Sequence, residues 1–304
     1  MILEALTKAQ IGRIHDASLE ILRTVGVRIP HAEMRRRFRA AGAEVDETHE
    51  VVLIPERLVH EALASCGKTF TIYGRDRSRT ARFGQGTRNY NSTGGQALWL
   101  SDNGTERRYA SLEDVATAAR LADGLPHINI AGAMAEPHEI PTGYRVVEVA
   151  AALLAHTTKP LHFFFHNRAT TRYVLELFAA IAGSEADAAA YPLAYPFLEP
   201  ISPLKFPYEG IEVLFETARF SLPVPIGPMA QVGATAPGTL AGTLAQENAE
   251  ILAGICVTQL VKPGLAVCYG GIPHAFDMRT SQIIFGGPEQ SLMAVAMAQM
   301  GKHY

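Results

Sequence analysis

Two carboxylates and two histidines are the residues of this chain best placed to do chemistry. Glu136 follows the apolar run "INIAGAM", and Glu199 closes the run "PLAYPFLEP". A carboxylate beside apolar segments is costly to bury unless it is paired or put to use. His162 and His166 bracket a third run, "PLHFFFH". Four residues apart on a strand, they face one side, as a pair of metal ligands would. No third ligand is tied to them by sequence, so a hydrogen-bonded structural histidine is the commoner reading and no metal is assigned. Other polar residues gather at comparable places. Asn91, Ser92 and Thr93 precede Gly94–Gly95, His138 stands close behind Glu136, and Asn167 follows His166. Ser202 and Pro203 follow Glu199, Met229 and Gln231 end another run, and Tyr269 is followed by His274, Asp277 and Arg279. The bland alternatives are a loop pairing of Asp277 with Arg279, and packing rather than a cage for Phe163 to Phe165. The Gly94–Gly95 pair either lets a ligand approach the backbone or makes a turn.

These residues need elements to hold them. Short apolar runs centred on Asn91, Asn129, Phe163, Ala194, Pro225 and Ala266 recur every 31 to 41 residues. One strand and one crossover helix occupy about that length. Most runs are followed by helical patterning, as in "LEDVATAARLADG" capped by Ser111, the segments after Thr142, Thr170 and Tyr208, and the long "GTLAGTLAQENAEILAGICVTQLV". Runs apolar on both faces suit parallel strands covered by helices. An even march of such units predicts a (β/α) barrel, whose site lies where strands end and βα loops begin. The doubly wound alternative usually carries a Gly-rich phosphate turn, and "GQG" at Gly84 to Gly86 lacks the third glycine and the helix. About six units are counted where a barrel needs eight, so an incomplete (β/α)8 barrel is expected over 87–304. The open edges predict self-association of the isolated chain, as a homo-oligomer or aggregate.

Residues 1–86 read as an N-terminal α+β elaboration. Thr7 and Gln10 have capping-box spacing before a helix, Pro30 and Pro55 open two more, and Val27 to Ile29 and Val51 to Ile54 are short β pieces. Phe70 to Tyr73 reads as a strand. Leu98 to Leu100 and Arg107 to Tyr109 flank Asn103–Gly104, a hairpin-turn signal.

Composition narrows the function classes. Of 304 residues, 48% are hydrophobic and 19% charged, which fits a large core and excludes disorder. The net charge of -3 leaves no basic stripe for nucleic acid. Cys66, Cys256 and Cys268 lie far apart, as buried free thiols of a reducing compartment do. No signal peptide and no apolar run of membrane-spanning length is read, so a cytoplasmic protein is expected. Nucleophile-elbow, P-loop and zincin motifs are not found in the sequence.

Several segments resemble one family in collinear order over essentially the whole chain. They are "SLEILRTVGVRIPHAE", "FTIYGRDRSR", "TERRYASLEDVATAARLADGLPHI", "EPISPLKF", "GATAPGTLAGTLAQENAEILAGICVTQLVKPG" and "YGGIPHAFDMRT" with "FGGPEQSLMAVAMAQMGKHY". They are similar to the trimethylamine methyltransferase family, whose members demethylate methylated amines and pass the methyl group to a corrinoid protein. The resemblance implies a (β/α)8 barrel and a chain that continues beyond Tyr304. It also implies a tertiary or quaternary amine substrate, such as trimethylamine or glycine betaine, and a Co(I) corrinoid carried by a separate protein, with none tightly bound here. No pyrrolysine is written in the residues at hand. With that chemistry, Glu136, His166 and Glu199 become the catalytic candidates. Asn91, Thr93, Phe165, Ser202, Met229, Gln231, Tyr269, Asp277 and Arg279 become the substrate-binding ones, since aromatic faces and carboxylates hold a quaternary nitrogen. An inactive fragment or paralogue that binds a ligand or partner is the alternative, and a pterin-dependent barrel methyltransferase is a weaker one.

Overall fold

The computed structural model describes residues 3–304. Its opening elements are α1 (Lys8–Thr24), β1 (Val27–Arg28), α2 (Ala32–Ala40), β2 (Glu44–Asp46), β3 (Val51–Leu53) and α3 (Glu56–Ser65). Two hairpins follow, β4 (Phe70–Tyr73) with β5 (Thr80–Phe83), and β6 (Leu98–Leu100) with β7 (Arg107–Tyr109). Strand and helix then alternate through α4 (Leu112–Gly124), β8 (Ala131–Gly132), α5 (Arg145–His156), β9 (Leu161–His162), α6 (Arg168–Ala182), α7 (Glu185–Ala190) and α8 (Tyr208–Thr217). The chain closes with β10 (Val224–Ile226), β11 (Gln231–Val232), α9 (Leu240–Val261), β12 (Val267–Tyr269), β13 (His274–Asp277), β14 (Gln282–Ile284) and α10 (Pro288–His303). The chain divides into two compact units, Met1–Cys66 with Leu198–Ile211 and Pro225–Tyr304, and Gly67–Phe197 with Glu212–Val224.

In the second unit, parallel segments pair in sequence order. Asn91 bridges Ile130, β8 pairs with β9, and Leu161 bridges Ala194, all parallel. Helices α4, α5 and α6 cover them through Val115, Ala119, Val149, Leu153, Val174 and Phe178 on one side, against Ala133, Leu161 and Phe163 on the other. Strands buried on both faces need apolar residues throughout, which is why these runs show no alternation. The β4–β5 hairpin stacks Phe70 on Phe83 and packs both near Ile72, Ala81, Ile130 and Tyr195.

The first unit is built around α9. Every residue from Thr243 to Gln259 is buried, so this helix has no polar face and lies enclosed by α1, α3 and α10. Close packing is direct at Gly254, where a Cβ would stand 2.6 Å from Ile226 Cγ2. Leu198 bridges Ile226 in parallel and β10 pairs with β12. β1, β3 and β2 form a small antiparallel sheet.

Several expectations hold locally. Thr7 and Gln10 form the capping box, Ser111 and Asp114 form a second, and Asn103 and Gly104 turn the β6–β7 hairpin with positive φ. Others need correction. Helix α6 begins at Arg168, ahead of Thr170, with Asn167 as its cap, whose side chain accepts the Thr170 N–H. Helix α5 begins at Arg145, beyond Thr142, with the Arg145 N–H donated to the Pro141 carbonyl. The stretch after Tyr269 is not a plain loop. It forms β13, which pairs parallel with β11 and antiparallel with β14. The parallel succession is present in short pieces, and the described residues do not form a closed barrel.

Candidate functional site

In the second unit, the ends of the parallel segments bring two of the predicted catalytic residues together. Glu136 Oε1 lies 3.5 Å from His166 Nε2, with the carboxylate 20% and the imidazole 43% exposed. The pair is long for a charge-assisted hydrogen bond and remains open to water. Gly95 lies against it: a Cβ there would meet Glu136 Oε1 at 3.1 Å. Gly94 lies against His162 in the same way, 3.2 Å from Nε2 and from the Phe164 ring. The two glycines therefore let the loop approach both side chains, and a turn requirement does not explain them, since neither has positive φ.

His162 does not join His166. It is buried on β9 among Phe164, Tyr195 and Phe197, with ring centroids 5.4 to 6.1 Å away. Its Nδ1 is 2.9 Å from Asn91 Nδ2 and 3.3 Å from the Ser92 carbonyl, while its Nε2 is buried without a partner. Burial pushes the imidazole pKa down, so it is neutral near pH 7. Among the described residues no group of three His, Cys, Asp or Glu side chains converges as a metal site. Thr93 contributes its carbonyl, which accepts the Met134 N–H at 3.0 Å. Phe165 stacks on Phe163 at 4.8 Å and packs on the helical core.

In the first unit, Glu199 is exposed, yet the surrounding protein desolvates its carboxyl enough to push the pKa up. The carboxyl is thus reachable by solvent while part of its surroundings is protein. Ser202 donates to Glu250 Oε2 at 2.7 Å, and Leu204 N–H donates to Glu250 Oε1 at 2.8 Å. Met229 is exposed, and the Gln231 N–H is held by Thr235 Oγ1. Tyr269 donates its hydroxyl to Asn248 Oδ1 at 2.7 Å and lies with its ring against Gly301. Asp277 accepts from the Arg279 N–H and the Thr280 hydroxyl, so it caps the hairpin turn, with Arg279 exposed beside it.

Sequence reasoning named His274 but missed three other polar residues, Glu247, Asn248 and Glu250. All four are buried. Glu247 and Glu250 are the only charged residues in the 22-residue α9. Desolvation pushes both carboxyls above the ordinary range, and for Glu247 the neighbouring Glu250 charge adds to it. Two glutamates alone in an otherwise uncharged helix were a readable signal.

Comparison with known proteins agrees over the full length. The trimethylamine methyltransferase (MTTB) family matches residues 1–304. Trimethylamine methyltransferase MttB1 of Methanosarcina acetivorans is 32% identical over 99% of this chain. A glycine betaine methyltransferase of Desulfitobacterium hafniense is 28% identical over 98%. The chain spans 62% of the length of each of these relatives. The crystal structure of the Methanosarcina barkeri monomethylamine methyltransferase shares 13% identity, with a TM-score of 0.49 over 96% of this chain and 62% of that one. On the match over all its residues, this chain belongs to the trimethylamine methyltransferase family.

Proposed function

We propose that this chain is the catalytic part of an enzyme that moves a methyl group from a tertiary or quaternary amine to the Co(I) corrinoid of a separate protein. The family match over residues 1–304 carries this reading. The corrinoid is then a substrate delivered by a partner, not a group resident in this chain. Its strand–helix units are read as part of a (β/α)8 barrel with residues 87–304 contributing the staves, and the site as the ends of those strands.

The open Glu136–His166 pair is what we assign to the cation, with Glu199 of the first unit kept as a separate catalytic candidate. A quaternary nitrogen has no N–H to bond, so a carboxylate and apolar or aromatic walls must hold it. Glu136 supplies the negative charge, and Gly95 lets the loop lie close against it. His166, paired to the same oxygen, keeps that carboxylate oriented. In the transfer step the cobalt nucleophile bonds the methyl carbon while the C–N bond breaks and its electron pair stays on nitrogen. A quaternary amine leaves neutral without needing a proton, so these residues contribute charge placement and exclusion of water. That the buried Cys66 and Cys256 and the half-buried Cys268 form no disulfide supports a cytoplasmic setting. No helix of the described residues is long and apolar enough to cross a membrane.

The test mixes the protein with a corrinoid protein reduced to Co(I) and either trimethylamine or glycine betaine. Growth of the methyl-cobalt absorption with one of them is expected. A spectrum that stays Co(I) with both, and with other methylated amines, overturns the reading.

A further inference from the structure

Three imidazoles of the first unit, drawn from three helices, gather where α10 ends. His15 of α1 stacks on His60 of α3 with ring centroids 6.0 Å apart, and meets His303 of α10 edge-on at 5.9 Å. His15 is half-buried, while His60 and His303 are exposed. The His15 Nδ1 also lies 2.9 Å from the Tyr304 hydroxyl, at the outer end of a hydrogen-bond chain that runs inward. One residue fixes the direction of that chain. The Ser18 hydroxyl lies 2.7 Å from the Ile14 carbonyl and 2.8 Å from that of Ala245, so its single proton is directed at carbonyls. The side-chain amide of Asn248, 2.8 Å away, must therefore turn its NH2 toward Ser18. Its second N–H then reaches the Tyr304 hydroxyl at 2.9 Å, and its Oδ1 accepts the Tyr269 hydroxyl at 2.7 Å. Tyr304 accepts from Asn248 and turns its own proton to His15 Nδ1, which can accept it only while unprotonated.

The last turn of α10 is the element this chain holds in place. Gly301 lies against the Tyr269 ring, where a Cβ would stand 3.2 Å from Cδ1, and the Tyr269 and Tyr304 rings are 5.9 Å apart. We propose that His15 is a proton-sensitive latch: neutral, it accepts the Tyr304 hydroxyl and keeps the last turn of α10 over Tyr269; charged, it turns a donor toward Tyr304, repels the neighbouring imidazoles and lets the turn loosen. Imidazoles gain charge in mildly acidic solution, and two more stand within about 6 Å of this one. Every element around His15 contributes. His303 of α10 and His60 of α3 oppose a charge on it, Asp16 of α1 and Glu56 of α3 favour one, and α9 presents the neutral Asn248 through Tyr304. Glu4, Lys8, Lys302 and His303 line an adjoining cleft, so the turn borders open space. Burial lowers the His15 pKa from the ordinary 6.5, His303 lowers it further, and the two carboxylates offset this only in part. With a depressed folded value, the neutral form stabilises docking fully above about 6.5, and that contribution is lost as the pH falls through the folded value. The latch is independent of the methyl-transfer reading.

Hydrogen exchange on the full chain at about pH 7.5 and about pH 5.5, corrected for intrinsic exchange, tests this. Protection of the last two turns of α10 is expected to fall about tenfold on acidification, the effect of one proton over one pH unit, while α6 keeps its protection. His15→Asn retains a neutral acceptor that cannot charge, so protection at the higher pH should stay within about twofold of wild type and the acid response should vanish. Tyr304→Phe should lower protection about fivefold at the higher pH and blunt the acid response. His60→Gln should keep the hydrogen bond and reduce the acid response. Equal wild-type protection at the two pH values, or a full acid response in His15→Asn, overturns the latch. Should His15→Asn fail to fold, the wild-type His15 ring resonances decide. They are expected to show Nδ1 without hydrogen at the higher pH and to titrate together with the loosening of α10, whereas a titration that leaves α10 exchange unmoved overturns the proposal.

Discussion

Each unit of this chain carries a carboxyl and an imidazole among its candidate residues, and the two sets are treated in opposite ways. Glu136 and His166 are partly open to water and close to each other. Glu247 and His274 are sealed from water, and their outer atoms have no partner. Where solvent reaches, opposite charges coexist cheaply and their pairing adds little stability. Where it does not, the charged forms are suppressed and each unpaired atom costs free energy, so retaining them points to a use other than holding the fold.

The glycines give the largest test of this contrast. In the second unit a Cβ on Gly132 would stand 2.1 Å from the Thr93 carbonyl oxygen and 2.3 Å from that of Ser92. Backbone cannot yield as a side chain can, so Gly132→Ala should destabilise by about 3 kcal/mol in denaturant melts. Gly254→Ala in the first unit meets the Ile226 side chain instead, and should cost about 1 to 2 kcal/mol. Equal losses would show that both sites yield alike.

The pH response should separate the units next. Glu247 and Glu250 have carboxyl pKa values raised by burial. A raised folded-state pKa stabilises at low pH, and that contribution disappears as pH rises through the folded value. Asp114 in the second unit runs the other way. Its bonds to Arg108, and to Ser111, hold its carboxyl down at about 2, against the burial that opposes them. It contributes about 2 kcal/mol above the ordinary carboxylate range, lost as pH falls toward 2. Glu247→Gln should therefore flatten the loss of stability on the alkaline side, and Asp114→Asn the loss on the acid side, in melts from pH 3 to 9. A wild type whose stability does not fall on raising pH would place ionised glutamates in α9.

The smallest stability effect belongs to the open pair. Glu136→Gln should change stability by less than about 1 kcal/mol while weakening a cationic substrate about tenfold. An unchanged affinity removes Glu136 from the cation site. A large stability loss would make the pair structural.

Much of this frame could be read from residue order. Thr7, Ser111 and Asn103–Gly104 announced their caps and turn because such signals act within a few residues. The parallel runs were legible because strands covered on both faces must be apolar throughout. Other features were hidden for a physical reason. Asn167 and Thr170 are both good capping types, and only the backbone geometry selects between them. The β13–β14 hairpin reads as a polar loop because its outer half, Met278 to Phe285, is exposed and irregular in pattern. His274 draws its character from burial among distant segments, which no local pattern records.

The central claim is transfer of an amine methyl group to cobalt, and following the methyl carbon tests it most directly. With methyl-13C-labelled trimethylamine or glycine betaine, this protein and a Co(I) corrinoid protein, NMR should find the label on cobalt together with one equivalent of demethylated amine. Label that stays entirely on the amine, with the corrinoid protein active in a control methylation, would contradict the account.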